Sequence, residues 1–406
     1  MLSTAQGWGA DMLKPLSVIA YAGVRGGFSI GVLALFYLVS SGWGEQFFSR
    51  FSLAWAACFV LSILIRGGSD VGNLKYSSVE NLVRSLAYLR ISFLKISLRF
   101  LVSLLFVGPV CLYYGVDWFF VVPLLYLFSV GPVFSFYLRG RGHKYKSAAL
   151  EFGAIAWLLG LVIFLGGKDA FPLYSFIVLS CVSAPAFLVM LLSGFDDEAY
   201  RDFEGAITLR RDITKSQLLN SLQSWGVLLI TPLFMTSKEI ALFAIYGRLV
   251  QVPNILLQSL NIMVAPKYSK LSVEGAGAEI VRLWRTVSLL GCGLVFPVML
   301  LVFLFLNSVL GFFSIAYSGV DFYYASFLIM VMGQILIALS GGGLMLLNIT
   351  GRSDFGYRVL KRAVFFQALS ALIVGFFVSG ILGVSVSVFI FNATVLVMVY
   401  SAVRKY

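Results

Sequence analysis

The chain has 406 residues, of which 60 % are hydrophobic and only 12 % charged, with a mean hydropathy of +0.95. No water-soluble fold of this size covers so much apolar surface with so little charge, so the composition excludes one. The net charge of +12 does not mark a nucleic-acid binder, because the basic residues gather in loops on one side of a row of apolar segments.

A helical span needs about 20 apolar residues. Runs of that length predict spans at 14–40, 47–66, 91–114, 117–138, 147–166 and 171–193, then at 213–235, 239–265, 282–307, 322–348, 360–380 and 381–403. Five loops on the N-terminal side each carry four Lys or Arg, as in Arg139, Arg141, Lys144 and Lys146, whereas the opposite loops hold only Arg50, Lys168 and Lys238. That asymmetry places both termini in the cytoplasm. The first span has no cleavage site behind it and reads as a retained anchor. The fold class expected is therefore all-α and integral to the membrane, with about 12 transmembrane helices, N-in and C-in.

The longest polar interval, SGFDDEAYRDFEGAITLRRDITK at 193–215, separates six spans from six. It predicts an N-terminal six-helix lobe at 1–195, a cytoplasmic linker at 196–215 and a C-terminal six-helix lobe at 216–406, a common transporter plan. Asp196-Asp197-Glu198 in the linker reads as solvated charge. The outward loops at 115–117, 167–171 and 237–239 are little more than turns. They leave no room for the external catalytic segment that a membrane glycan polymerase or ligase needs.

Cys58, Cys111, Cys181 and Cys292 fall inside predicted spans with no Cys-x-x-Cys, and read as small buried hydrophobes. Gly166–Lys168 lacks the glycine spacing of a Walker loop, and His143 sits alone in a basic turn. No cofactor, metal or covalent chemistry is expected. Ser340–Gly343, SGGG, reads as close helix packing or a hinge.

The eighth span carries the densest polar pattern, in IYGRLVQVPNILLQSLNIMVAPKYSKL at 245–271. At 100° per residue, Arg248, Gln251, Asn254, Gln258 and Asn261 fall within one arc of about 140°. Arg248 lies roughly 14 Å from the outer end at Glu239, near the middle of a ~30 Å hydrocarbon layer. Insertion there costs about 2.5–3.5 kcal/mol, so such a residue faces a partner or a cavity. It serves either an anionic ligand or the carbonyls freed by a kink at Pro253. Arg25 lies roughly 16 Å in from Lys14, on a face shared with Ser17, Tyr21 and Ser29.

Lys95 and Arg99, spaced i,i+4 on the third span, add a basic stripe that reads as a vestibule or a lipid-headgroup contact. Gln217 and Asn220 share a face of the seventh span; like the amides of the eighth they suit sugar contacts or interhelical bonds. Glu45, Asp117, Asp169, Glu239 and Asp321 lie at outer ends, and Glu151 comes nearest to mid-span. A cavity with deep arginines and no midplane carboxylate suits an anionic substrate, whose phosphate oxygens guanidinium grips bidentately.

Three stretches carry a family resemblance: NILLQSLNIMVAPKYSKL in the eighth span, LLNITGRSDFGYRV at 346–359 and YLRGRGHKYKSAALE at 137–151. In that order they resemble the polysaccharide-export branch of the multidrug/oligosaccharidyl-lipid/polysaccharide (MOP) exporter superfamily, the bacterial O-antigen and capsule repeat-unit flippases. The resemblance implies a MOP/MATE-like pair of lobes in the bacterial inner membrane. It implies an undecaprenyl-pyrophosphate-linked oligosaccharide as substrate, moved by alternating access, with membrane lipid and other polysaccharide-assembly proteins as partners. Related lipid II flippases carry functional arginines in the first and eighth spans, matching Arg25 and Arg248; their second-span arginine has no counterpart, since Arg50 and Arg66 lie near span ends. Glu151 is the candidate ion-coupling group. The competing reading is a cation-coupled multidrug exporter of the same superfamily, which predicts a buried intramembrane carboxylate.

Overall fold

The computed structural model describes residues 15–115, 118–150, 152–166, 196–314 and 322–404, with isolated positions between 177 and 194 and at 320. Among them there is no strand. Among the described residues, eight helical stretches are long and apolar enough to cross a membrane: Ile30–Arg66, Leu82–Pro109, Val121–Gly140, Ser237–Gln258, Gly277–Leu304, Tyr323–Ile349, Ser353–Phe377 and Gly380–Val403. The predicted span at 171–193 lies outside the described residues apart from isolated positions.

The chain divides into two compact units, Gly27–Leu229 and Ile230–Tyr406 with Met1–Gly26. The division thus comes after the 196–215 segment, which belongs with the first unit.

Helix α1 (Pro15–Arg66), which belongs to the first unit from Gly27 onward, joins the first two predicted spans and breaks at Gly44, with φ 80° and ψ 171°; a side chain at that φ would be strained. Phe36 gathers Phe48, Phe51 and Trp55 around it at 5.4, 5.5 and 5.7 Å between ring centroids, and Trp55 meets Phe128 at 4.9 Å. These edge-on aromatic contacts form the centre of the unit. A short helix that hydropathy does not reveal, α2 (Ser69–Val79), precedes α3 (Leu82–Tyr114). The third helix begins nine residues before the predicted span, capped by the Asn81 side chain accepting from Arg84 N at 2.9 Å. Then come α4 (Trp118–Gly140), α5 (Lys144–Leu150) and α6 (Phe152–Gly166).

The polar interval forms two helices, α7 (Asp197–Gly205) and α8 (Ile207–Ser221). Asp196, read from sequence as solvated charge, is the N-cap of α7: its Oδ1 accepts from Glu198 N and Ala199 N at 3.0 and 3.2 Å. Ala199 and Phe203 are buried against Ala87, Tyr88 and Ile91 of α3, which fastens the interval to the first unit. Beyond α8 the backbone widens into a π turn at Leu222–Gly226 and tightens into a 3-10 turn at Thr231–Leu233, so the predicted seventh span is irregular where Gly226 and Pro232 stand.

The second unit starts with α9 (Ser237–Val273), launched by a capping box between Thr236 and Glu239. It continues helical through Pro253 and runs eight residues past the predicted end. Helices α10 (Gly277–Leu304) and α11 (Leu306–Phe312) follow. Next, α12 (Tyr323–Leu339) and α13 (Gly343–Ile349) divide the predicted tenth span at Gly341 and Gly342, with φ of 56° and 66°. The last two helices, α14 (Ser353–Phe377) and α15 (Gly380–Val403), pack along each other. A Cβ on Gly383 would run into the backbone of Gly375, and one on Gly375 into the Phe234 ring, so Gly383 is needed for this close approach.

Cys58 and Cys111 are buried and Cys292 half-buried, all as free thiols. Cys181 lies outside the described residues.

Candidate functional site

The sequence-predicted residues fall into two groups, one in each unit. In the second unit, Arg248 stands at the middle of the Ser237–Gln258 span. It is half-buried, and its Nη1 donates to Gln251 Oε1 at 3.3 Å, a bond along one helix face. Asn254 is half-buried and Gln258 exposed. Further along the same face, Asn261 packs at the broken span, where a Cβ on Gly342 would meet its side-chain oxygen. Arg25 is helical in α1, but its side chain lies outside the described residues, as does the whole of Glu151.

In the first unit, the predicted residues meet protein groups. Lys95 pairs with Glu204 of α7 at 3.2 Å and lies 5.6 Å from the Tyr200 ring centroid. Arg99 Nη1 donates to the carbonyls of Ile65 and Arg66 at 3.3 and 3.4 Å. It therefore caps the end of α1, where helix geometry leaves carbonyls open and the dipole favours a cation. Gln217 Nε2 donates to Asp70 Oδ2 at 3.1 Å. Asn220 is exposed, and its carbonyl accepts from Ser224 Oγ at 3.3 Å.

These contacts converge on a polar knot that sequence reading missed. Across the Gly67–Gly68 turn, Arg66 Nη1 donates to Asp70 Oδ2 at 2.7 Å, with both side chains buried. Asn73 Nδ2 bonds Ser69 O at 2.7 Å and Ser92 Oγ at 2.8 Å, tying α2 to α3. Arg210 of α8 lies 3.4 Å from the Phe203 ring centroid and bonds the Tyr88 hydroxyl. Burial pushes its pKa down from the usual guanidinium value, with Tyr88 opposing the shift. Tyr76 donates to Asp202 Oδ2 at 3.1 Å, and burial together with that carboxylate raises its phenol. Arg84 pairs with Glu198 of α7. The available signal was Arg66 and Asp70 at i,i+4 beside a glycine pair.

Charge inside the described spans is one-sided. Glu239, Glu279 and Asp354 stand in first turns of their helices, and Glu45 stands next to the Gly44 break. The charged residues beyond the first turns of the α3 and α9 spans are Arg90, Lys95 and Arg99 in α3 and Arg248 in α9. The α9 face around Arg248 can neutralise an anion, and beyond the first turns and the Gly44 break the described spans hold no carboxylate that would bind a cation.

No family model matches the chain, and no curated protein does. Solved structures do match over nearly the whole chain. A multidrug resistance MATE family transporter of the MOP superfamily in its inward-facing conformation superposes with a TM-score of 0.65 at 14 % identity, covering 95 % of this chain and 93 % of the other. An outward-facing conformation of such a transporter gives 0.60 at 13 %, with 97 % of each chain covered. A MOP superfamily transporter from Pyrococcus furiosus, described by the reverse polarity of its binding pocket, gives 0.63 at 15 % over 96 % and 95 %. The chain thus has the all-α, multi-pass membrane fold of the MOP/MATE type.

Proposed function

We propose that the chain is a flippase that carries an undecaprenyl-pyrophosphate-linked oligosaccharide from the inner to the outer leaflet of a bacterial cytoplasmic membrane by alternating access. The observation that carries this reading is the basic interior of the described spans, with Arg248 at mid-span on a face of amides and carboxylates confined to first turns and the Gly44 break. A guanidinium at that depth offers paired donors to a pyrophosphate, and Gln251, Asn254 and Gln258 beside it offer partners to sugar hydroxyls. Arg25 is assigned the same role from the first helix, and Glu151 that of the ion-coupling group. No covalent step is involved, and the work comes from an ion gradient, the membrane potential or consumption of the product.

The fold shared with MATE multidrug transporters supports a second reading, cation-coupled drug export. That chemistry asks for a carboxylate within a span to bind the ion or a cationic drug, so the charge distribution favours the flippase.

The test is translocation of a labelled undecaprenyl-pyrophosphate oligosaccharide in proteoliposomes, with Arg248→Gln alongside the parent and a cationic dye as the competing cargo. An active parent and an inactive, folded variant support the flippase. Movement of the dye and not the lipid establishes the exporter.

A further inference from the structure

A groove of about 560 Å³ runs between α10, α12 and α15 of the second unit, lined by Trp284, Arg285, Leu289, Leu339, Val397 and Tyr400 among others. None of its lining residues is on α9, so it stands apart from the polar face assigned to transport. It lies beside the break in the tenth span, reaching Leu339. Trp284 donates Nε1 to Ser340 O at 2.7 Å and fills the floor beside Gly341, where any Cβ would run into Ser288.

The two ends of the groove differ in chemistry. Leu289 and Val397 are 69 % and 66 % exposed and make one end apolar. One helical turn away on each helix the lining becomes basic and aromatic. Arg285 is exposed, and its guanidinium makes no ion pair among the described residues. Arg404 lies outside the lining, one turn beyond Tyr400, where it donates Nη2 to that lining residue's hydroxyl at 2.7 Å and stands 4.4 Å from its ring centroid. This is the end that the positive-inside count assigns to the cytoplasm. Tyrosine and tryptophan favour the headgroup level, and basic pockets between helices on that side suit phosphate headgroups.

We propose that the groove seats an anionic phospholipid of the cytoplasmic leaflet. One acyl chain lies along Leu289, Leu339 and Val397, and Arg285 and Arg404 hold the phosphate. The amphiphile fits because the apolar wall and Arg285 belong to one groove, with Arg404 next to it on Tyr400. A neutral partner would leave Arg285 facing hydrocarbon.

Native mass spectrometry of the detergent-purified protein, offered phosphatidylglycerol or phosphatidylcholine of matched chains, tests the assignment. The parent should retain phosphatidylglycerol preferentially. Arg285→Gln and Arg404→Gln should each reduce that preference about fivefold, and both lie at exposed positions where folding is not at stake. Val397→Trp should fill the groove and lower retention of both lipids without changing their ratio. Equal retention of the two lipids by the parent overturns the proposal, as does a double arginine variant with the parent's preference. Disulfide trapping of Leu289→Cys between two copies would show a second chain covering the groove and would likewise overturn it.

Discussion

Arg66 and Asp70 form an ion pair at 2.7 Å across a two-glycine turn, with Asp70 wholly buried and Arg66 6 % exposed. Asp70 also accepts from Gln217, so one carboxylate links the end of α1, the start of α2 and the face of α8. A buried pair of this kind contributes to uniqueness more than to net stability, and it becomes a liability once half of it is removed.

Asp70→Ala should therefore lower stability by about 3–5 kcal/mol, because it leaves Arg66 charged and buried. The double variant Arg66→Met with Asp70→Leu should recover most of the loss. Thermal unfolding in detergent checks both; equal losses in the single and double variants would show that the pair carries no such strain.

The linker helix α7 is held by one buried ring and by exposed charges. Phe203→Ala should weaken its docking by about 3–5 kcal/mol, seen as faster amide exchange across Asp197–Gly205. Glu204→Gln breaks the Lys95 pair, whose side chains are 37 % and 40 % exposed, and should cost no more than about 1 kcal/mol. The opposite ranking would mean that charge, rather than burial, fastens the linker.

Two glycines with similar backbone angles should respond differently to alanine. Gly275, at φ 67°, has open space where a Cβ would stand, so Gly275→Ala should cost only the left-handed strain of about 1–2 kcal/mol. At Gly68, φ 73°, the Cβ would stand 2.6 Å from the Arg210 carbonyl oxygen, a backbone atom that cannot rotate away. Overpacking adds about 1–3 kcal/mol there, and the difference between the two variants is readable in their unfolding midpoints.

For transport, Arg248→Gln and Arg248→Lys separate charge from geometry. Hydrogen bonds to charged groups are worth about 1.5–3 kcal/mol, so Arg248→Gln should slow lipid translocation roughly 10- to 150-fold. Arg248→Lys keeps the charge and loses the bidentate fork, and its rate should fall between the two. A lysine variant as fast as the parent would show that bidentate recognition plays no part.

Hydropathy located most spans because a bilayer imposes a length on every apolar run, and loop charge marks where each run ends. It did not reveal α2. Its sequence, SDVGNLKYSSV, is short and polar, and its anchors are distant in the chain: Asn73 reaches Ser92, and Ser77 donates to the Tyr137 carbonyl at 3.2 Å. The breaks at Gly44 and Gly341–Gly342 were legible in part, Gly44 between the spans ending at 40 and starting at 47 and the glycine pair inside SGGG, but the left-handed residues themselves were not. With 39 glycines in the chain, a glycine alone does not say where the backbone turns left-handed. At the candidate site, the Arg248–Gln251 contact was legible because it follows from helical spacing. The partners of Lys95, Arg99 and Gln217 were not, since tertiary folding brings Glu204, the end of α1 and Asp70 to them. Asp70 sits in a short polar helix outside the apolar runs, so hydropathy gives no sign that its carboxylate is buried.

The backbone contact between Gly375 and Gly383 bears on how the chain is made. Only Val378 and Ser379 separate α14 from α15, so no polar loop exists that could be threaded across the bilayer after α14 has settled alone. A turn this short suits entry of the pair as a hairpin, its turn leading, while Arg358, Lys361 and Arg362 near the start of α14 favour the cytoplasmic side. Bulk at Gly383 would then first be felt during biogenesis, as chains held at the insertion machinery and degraded there, before any finished protein could be assayed.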